Sequence, residues 1–206
     1  MILTRAEILR HYEAGSIVID PFDPARLEPN SYGFSLGNEI VWYEDDVVDA
    51  RTPPTEARVT ISSAGFQFLP GRAYLGCTME KMGSYRHAAT LYANRSVSTL
   101  GVWIQMSAPL GHTGAIIPWT LEITVSHPVW LFAGQPIGKI AFWENLGAHS
   151  HYSGRYVGST STVASRFALL GNDEVRNDCH GARDNQGTEV GSDSHHSVFG
   201  VGREPE

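Results

Sequence analysis

One carboxylate stands inside an apolar run of this chain. The segment Ala115-Ile-Ile-Pro-Trp-Thr-Leu-Glu122-Ile-Thr-Val125 is rich in apolar and β-branched residues and reads as a strand, with Glu122 as its one charge. Burying a carboxylate there is costly unless a specific partner meets it. Carboxylates buried in such surroundings can titrate nearer neutrality, which suits a group that takes a proton and gives it back. On an exposed edge strand the same residue would be an ordinary solvated acid, the commoner fate of carboxylates. The surroundings decide between the two.

Four segments stand out around it. The first is Asp20-Pro-Phe-Asp23-Pro, followed by Leu27-Glu-Pro-Asn30-Ser-Tyr32-Gly-Phe-Ser-Leu36-Gly37-Asn38-Glu39. The second is Leu69-Pro-Gly71-Arg-Ala-Tyr74-Leu-Gly76-Cys-Thr78-Met-Glu80. The third runs Asn94-Arg95-Ser96-Val-Ser98-Thr99-Leu100-Gly101, then Ser107-Ala108-Pro and Gly114, to Trp119-Thr-Leu121-Glu122. The fourth is Leu131-Phe-Ala-Gly134-Gln135-Pro-Ile137-Gly138-Lys139, with Tyr152-Ser-Gly154-Arg155-Tyr156 beyond it. Several familiar sites are missing: no Gly-x-x-x-x-Gly-Lys-Ser/Thr loop, no Gly-x-Ser-x-Gly elbow, no His-Glu-x-x-His. The zinc deaminase signature is missing as well.

The elements that must position these residues are mainly strands. Thr4-x-x-Glu7 is a capping box, Leu3 and Ile8 form a hydrophobic staple, and Gly15 ends a helix that buries Ile8, Leu9 and Tyr12. From residue 17 to about 145 the chain becomes short β-rich runs broken by Gly, Pro, Asn and Asp, a pattern that predicts a sandwich or closed β-architecture. A single helical turn fits residues 94–100.

The 206 residues allow one domain with a tail. No run approaches the roughly 20 apolar residues of a membrane span, and the N-terminus shows no signal-peptide pattern, so a cytoplasmic protein without membrane attachment is expected. Cys77 and Cys179 lack CxxC spacing, which argues against a disulfide scaffold or a thiolate zinc site. Most of the net charge of −7 falls on residues 167–206, leaving the body nearly neutral with no basic stripe for nucleic acid. Residues 167–206 read as a disordered acidic tail, and His180, His195 and His196 there as solvated rather than metal-binding.

The ordered set of four segments resembles the dCTP deaminase family of the trimeric dUTPase-like superfamily, over about residues 1–166. The resemblance implies a distorted β-barrel or jelly roll with a short N-terminal helix, assembled as a homotrimer with active sites at subunit interfaces. It implies that Glu122 is the general base of a deamination that uses no protein-bound metal, Mg²⁺ arriving on the nucleotide triphosphate. It also implies a serine that orients water and an arginine at the phosphates. Counting without gaps from Leu100-Gly101 puts Asn94 and Arg95 on the family's Arg-Ser, whereas one deletion in the turn puts Arg95 and Ser96 there; the second register keeps the charge and is favoured. Thr99 replaces the family's second arginine. Ala108 matches an alanine whose main chain contacts the base, and His112 falls where the family has an aspartate at the sugar 3′-hydroxyl. Tyr152 and Arg155 match a tyrosine and lysine that close on the phosphates, and Ser159 replaces a tail glutamine.

The reading that follows is deamination of a cytosine deoxynucleotide, dCTP to dUTP plus ammonia. Two rivals stand beside it. One is a dUTPase-like pyrophosphatase or a bifunctional enzyme, which would need a carboxylate near His112, where the sequence between Gly101 and Leu121 has none. The other is a non-catalytic nucleotide-binding regulatory trimer, for which a carboxylate in an apolar strand would bring little gain.

Overall fold

Thr4 caps the first helix, α1 (Arg5–Glu13), and Gly15, at φ 72°, turns the chain out of it. The cap differs from expectation in one respect: the Thr4 side chain makes no capping bond. Glu7, its intended partner, is taken by Arg10 at 2.6 Å. Leu3 and Ile8 are both buried, as a staple requires, and Tyr12 stacks on Phe22 at 3.9 Å.

The computed structural model describes residues 1–105 and 107–169, and Met1–Leu169 form one compact unit. The tail expected at 167–206 falls outside the described residues beyond the short 3-10 turn Phe167–Leu169. So do Cys179, His180, His195 and His196.

Thirteen strands follow α1 among the described residues. They are β1 (Ile17–Asp20), β2 (Leu27–Glu28), β3 (Ser31–Ser35), β4 (Glu39–Tyr43), β5 (Glu56–Thr60), β6 (Phe66–Phe68) and β7 (Tyr74–Ser84). The remainder are β8 (His87–Ala93), β9 (Val102–Ile104), β10 (Leu110–Gly111), β11 (Ile117–Val125), β12 (Val129–Leu131) and β13 (Pro136–Glu144). One sheet has the order β5-β4-β7-β11-β9 with β1 also on β7, the second the order β10-β8-β13-β3-β2, and β12 pairs with β6. All of these pairings are antiparallel.

Side chains of both sheets fill the core between them: Phe34, Leu91 and Phe142 from one, Ile40, Met82, Leu121 and Ile123 from the other. The sheets join at a corner where Leu36 bridges Thr78 and the Gly37 amide donates to the Cys77 carbonyl at 2.7 Å. The strands are mainly β as expected, but among the described residues they do not close into a barrel. The edge strands β2, β5, β9 and β10 are two to five residues long, too short to pair across both sheets.

The Asp20–Pro24 segment has an architectural task. Asp23 accepts the Ala25 amide at 2.9 Å and starts a 3-10 turn, Pro24–Arg26. That turn aims Arg26 at the buried Glu80 carboxylate, 2.6 Å away, whose other oxygen accepts the Ser35 amide at 2.9 Å. A buried carboxylate is tolerated when every lone pair finds a donor. Gly101, at φ 73°, holds the turn before β9, where a Cβ would lie 2.0 Å from Ser126 Oγ. That accounts for the glycine of Leu100-Gly101.

His11 and His87 meet edge to face under α1, with ring centroids 4.4 Å apart, and both are buried. Burial pushes both imidazoles below the ordinary value of 6.5, and Arg10 for one and His11 for the other add to it. Glu144, 3.3 Å from His87, works in the opposite direction. The unfolded chain therefore takes up protons at a higher pH than the folded one, so stability is full above about pH 6.5 and falls as pH drops below it. Thermal melts should show Tm declining from about pH 6.5 toward about pH 5, with a flatter slope in a His11→Gln/His87→Gln variant. An unchanged slope would contradict this assignment.

Candidate active site

Strand β11 decides where Glu122 points. Leu121 and Ile123 are fully buried in the core, so the alternation of the strand turns Glu122 to the other face, where it is half-buried. That face opens into a cavity of about 440 Å³. The loop after β9 holds Glu122 at both ends: the Gln105 amide donates to its main-chain carbonyl at 3.0 Å, and the Ser107 amide donates to its Oε2 at 3.2 Å. Gln105 takes an unusual φ of 53° to make this turn, and its Nε2 donates to the Ala108 carbonyl at 2.7 Å.

The C-terminal segment supplies the opposite wall. Tyr152, Tyr156, Ser159 and residues 163–165 line the same cavity. His112 and Tyr152 stack there with centroids 5.4 Å apart and planes inclined by 14°. The segment is tied down at several points. Tyr152 N donates to Thr113 O at 2.8 Å, Val163 N to Thr120 Oγ1 at 3.0 Å and Ser165 N to the Tyr43 hydroxyl at 2.9 Å. Arg58, paired with Glu39 at 3.0 Å and Glu56 at 2.7 Å, also reaches the Thr162 carbonyl at 3.3 Å.

Five residues singled out from sequence thus meet in one place: Glu122, Ala108, His112, Tyr152 and Ser159. Asn94, Arg95, Ser96 and Arg155 are not on the lining. Asn94 caps the short helix α2 (Arg95–Thr99), with its amide on the Ile137 carbonyl at 3.0 Å, while Arg95 and Ser96 are exposed on that helix. Arg155 lies on the C-terminal segment and is half-buried, its carbonyl accepting from the Arg166 guanidinium. The lining also contains Tyr43, Gln105, Trp119, Thr120 and Tyr156, which sequence reasoning did not single out. An aromatic directly after Pro118 was the one available signal for Trp119, whereas Gln105 gave none.

Among its described lining residues the cavity has one carboxylate, Glu122, and no lysine or arginine. Its walls are largely aromatic and aliphatic. Such a site accepts a flat heterocycle and places one proton-transfer group against it; it does not by itself neutralise a triphosphate. Among the described residues no group of three or more His, Cys, Asp or Glu is arranged to hold a metal ion, and no helix is long and apolar enough to cross a membrane.

The sequence places the chain in a known family, and the fold is similar to that of a solved structure. The sequence profile of the dCTP deaminase-like family matches residues 2–145, and the chain belongs to that family. It is 35% identical over 157 residues to a dCTP deaminase, dUMP-forming, of Clostridium beijerinckii, covering 76% of this chain and 90% of that protein. It is 38% identical over 131 residues to a dCTP deaminase of Rhodopirellula baltica, covering 64% of this chain and 66% of the other. In fold it is similar to the crystal structure of the 2′-deoxycytidine 5′-triphosphate deaminase from Agrobacterium tumefaciens, with a TM-score of 0.56 at 18% identity. That match spans 70% of this chain and 48% of the other. The expectation of dUTP as product conflicts with the dUMP-forming name of the clostridial relative. Tyr152, Arg155 and Ser159 lie beyond the residues that the family profile matches.

The ties on the C-terminal segment make a prediction. Arg58→Ala removes the bond to Thr162 along with two exposed ion pairs that contribute little. Trypsin should then cut after Arg155 roughly three to ten times faster, the worth of one hydrogen bond, while the thermal melt of the β body barely moves. An unchanged cleavage rate would show that Arg58 does not hold this segment.

Proposed function

We propose that this chain catalyses the hydrolytic deamination of a cytosine deoxynucleotide, with dCTP as its substrate. The observation that carries the proposal is Glu122, the one carboxylate among the described residues that line a largely apolar cavity, held there by the Ser107 amide at 3.2 Å. Glu122 takes a proton from a water as its oxygen attacks C4 of the ring, and delivers that proton to N3. The tetrahedral centre then collapses, the second proton of the water passes through Glu122 to the amino group, the C4–N4 bond breaks and ammonia leaves. General acid–base work of this kind contributes about 10²–10⁴-fold.

Among the described residues the cavity lining holds no lysine or arginine for the phosphates, so groups outside the lining meet them. Arg155 of the C-terminal segment and Arg95 on α2 of a second copy fill that role in a homotrimer with shared sites. Ser96 of the second copy orients the water, Ala108 and His112 face the base and sugar, and Tyr152 and Ser159 close over them. Mg²⁺ enters on the triphosphate as part of the substrate.

A second reading adds cleavage of the triphosphate, giving dUMP. The dUMP-forming name of a relative at 35% identity favours it. The absence of a second carboxylate among the described lining residues weighs against it.

Purified protein incubated with dCTP, CTP, dCMP and dUTP, with ammonia and pyrophosphate followed together, tests both readings. Ammonia from dCTP that falls by about 10²-fold or more in Glu122→Gln supports deamination at this site. Pyrophosphate released mole for mole with that ammonia selects the dUMP-forming reading. Pyrophosphate from dUTP with no ammonia from dCTP overturns the proposal, and binding without turnover returns the regulatory reading.

A shared site makes a separate prediction. Glu122→Gln and Arg95→Ala variants, each inactive alone, should recover part of the wild-type rate when unfolded together and refolded as a mixture. Sites in which Arg95 serves its own chain's Glu122 would show no such recovery.

A further inference from the structure

Trp119 borders both the hydrophobic core and the cavity. In β11 the side chains of Leu121 and Ile123 go to the core, and those of Thr120 and Glu122 to the cavity. Strict alternation would send Trp119 to the core beside Leu121. The indole packs against that core, and the register against β7 slips beside it, between Pro118, opposite Lys81, and Thr120, opposite Cys77. The extra residues of this irregularity lie on β7, and the indole also borders the same cavity as Glu122.

The ring is fixed in place. Its main-chain amide donates to Thr78 Oγ1 and its Nε1–H to the Met82 carbonyl, both at 2.9 Å. Gly111 of β10 lies against its far edge, where a Cβ would fall 2.8 Å from Cη2. A glycine is therefore needed for the approach, and the indole has little room to retreat.

The cavity has two chemically different sides. The loop at Gln105 and Ser107 brings polar groups to Glu122, whereas Trp119, Ile117 and Ala115 present an apolar surface. A cytosine ring has the same asymmetry: N4, N3 and O2 run along one edge, and the C5 and C6 hydrogens along the other. With C4 at Glu122 and the polar edge toward the loop, the C5 edge faces the indole. Resting on the deamination reading above, we propose that Trp119 is a specificity-determining wall that admits a hydrogen at C5 of the pyrimidine and rejects a larger substituent.

The test compares kcat/KM for dCTP and 5-methyl-dCTP by ammonia release in wild type, Trp119→Phe and Trp119→Ala. One methyl group against a fixed wall is worth about 10–200-fold in discrimination. Wild type should therefore prefer dCTP by about tenfold or more, and Trp119→Ala should narrow that ratio by about tenfold, with Trp119→Phe between them. A ratio that is the same in all three proteins overturns the proposal.

A binding measurement keeps the question decidable if the alanine variant does not fold or if dCTP yields no ammonia. The chain has five tryptophans. In a Glu122→Gln background, dCTP should quench their fluorescence, and Trp119→Phe should abolish most of that quench while calorimetry still reports binding. An equal fractional quench with phenylalanine at 119 removes the indole from the site. Absence of ammonia from wild type with dCTP would sink the deamination reading alone, since the quench comparison decides the wall independently.

Discussion

The site depends on one carboxylate being held against a loop at both its main chain and its side chain. The bonds from Gln105 to the Glu122 carbonyl and from Ser107 to its Oε2 come from residues only two apart in sequence. Core packing supplies the other half of the constraint, because Leu121 and Ile123 leave the intervening side chain no way to turn inward. The direction of Glu122 is thus set by the hydrophobic core behind it and its ionic end by the loop before it. A half-buried carboxylate in an otherwise apolar wall needs a donor, and a backbone amide is one that no side-chain motion can withdraw.

The cavity around that carboxylate is built from pieces of very different sequence separation. Trp119 of β11 contributes an aromatic wall, the loop after β9 a polar one, and the segment from Tyr152 to Ser165 a third. The last is joined to the body by hydrogen bonds to Thr113, Thr120 and Tyr43 and by Arg58, so the shape of the cavity depends on contacts far along the chain. Among the described residues that line the cavity there is no lysine or arginine.

Much of this was legible in the sequence where the signals are local. The helix at Arg5–Glu13, the turn of helix at Arg95–Thr99 and the β-rich body between residues 17 and about 145 lie where cap residues and β-rich runs placed them. The strands Leu27–Glu28, Phe66–Phe68 and Leu110–Gly111 were not, because segments of two or three residues exist only through their partners. Strand β7 runs on to Ser84 through Lys81, Gly83 and other poor strand formers, held there by pairing with β1 and β11. Strand β9 stops at Ile104 because Gln105 turns to φ 53°. Glu122 stood out as the one charge of an apolar run, and the family resemblance pointed to Ala108, His112, Tyr152 and Ser159, which line the same cavity. Trp119 and Gln105 did not stand out, since a place on the border of core and cavity and a left-handed backbone angle leave no mark on a pattern of residue types.

The central claim is that a pyrimidine sits in this cavity with its C4 against Glu122. A crystal structure of the Glu122→Gln variant soaked with dCTP tests it most directly. The account predicts the base between the Gln105–Ala108 loop and Trp119, with a water or the amino group about 2.6–3.2 Å from the residue 122 side chain and the phosphates outside the cavity against arginines. A triphosphate lying in the cavity, or a base bound away from residue 122, would contradict it.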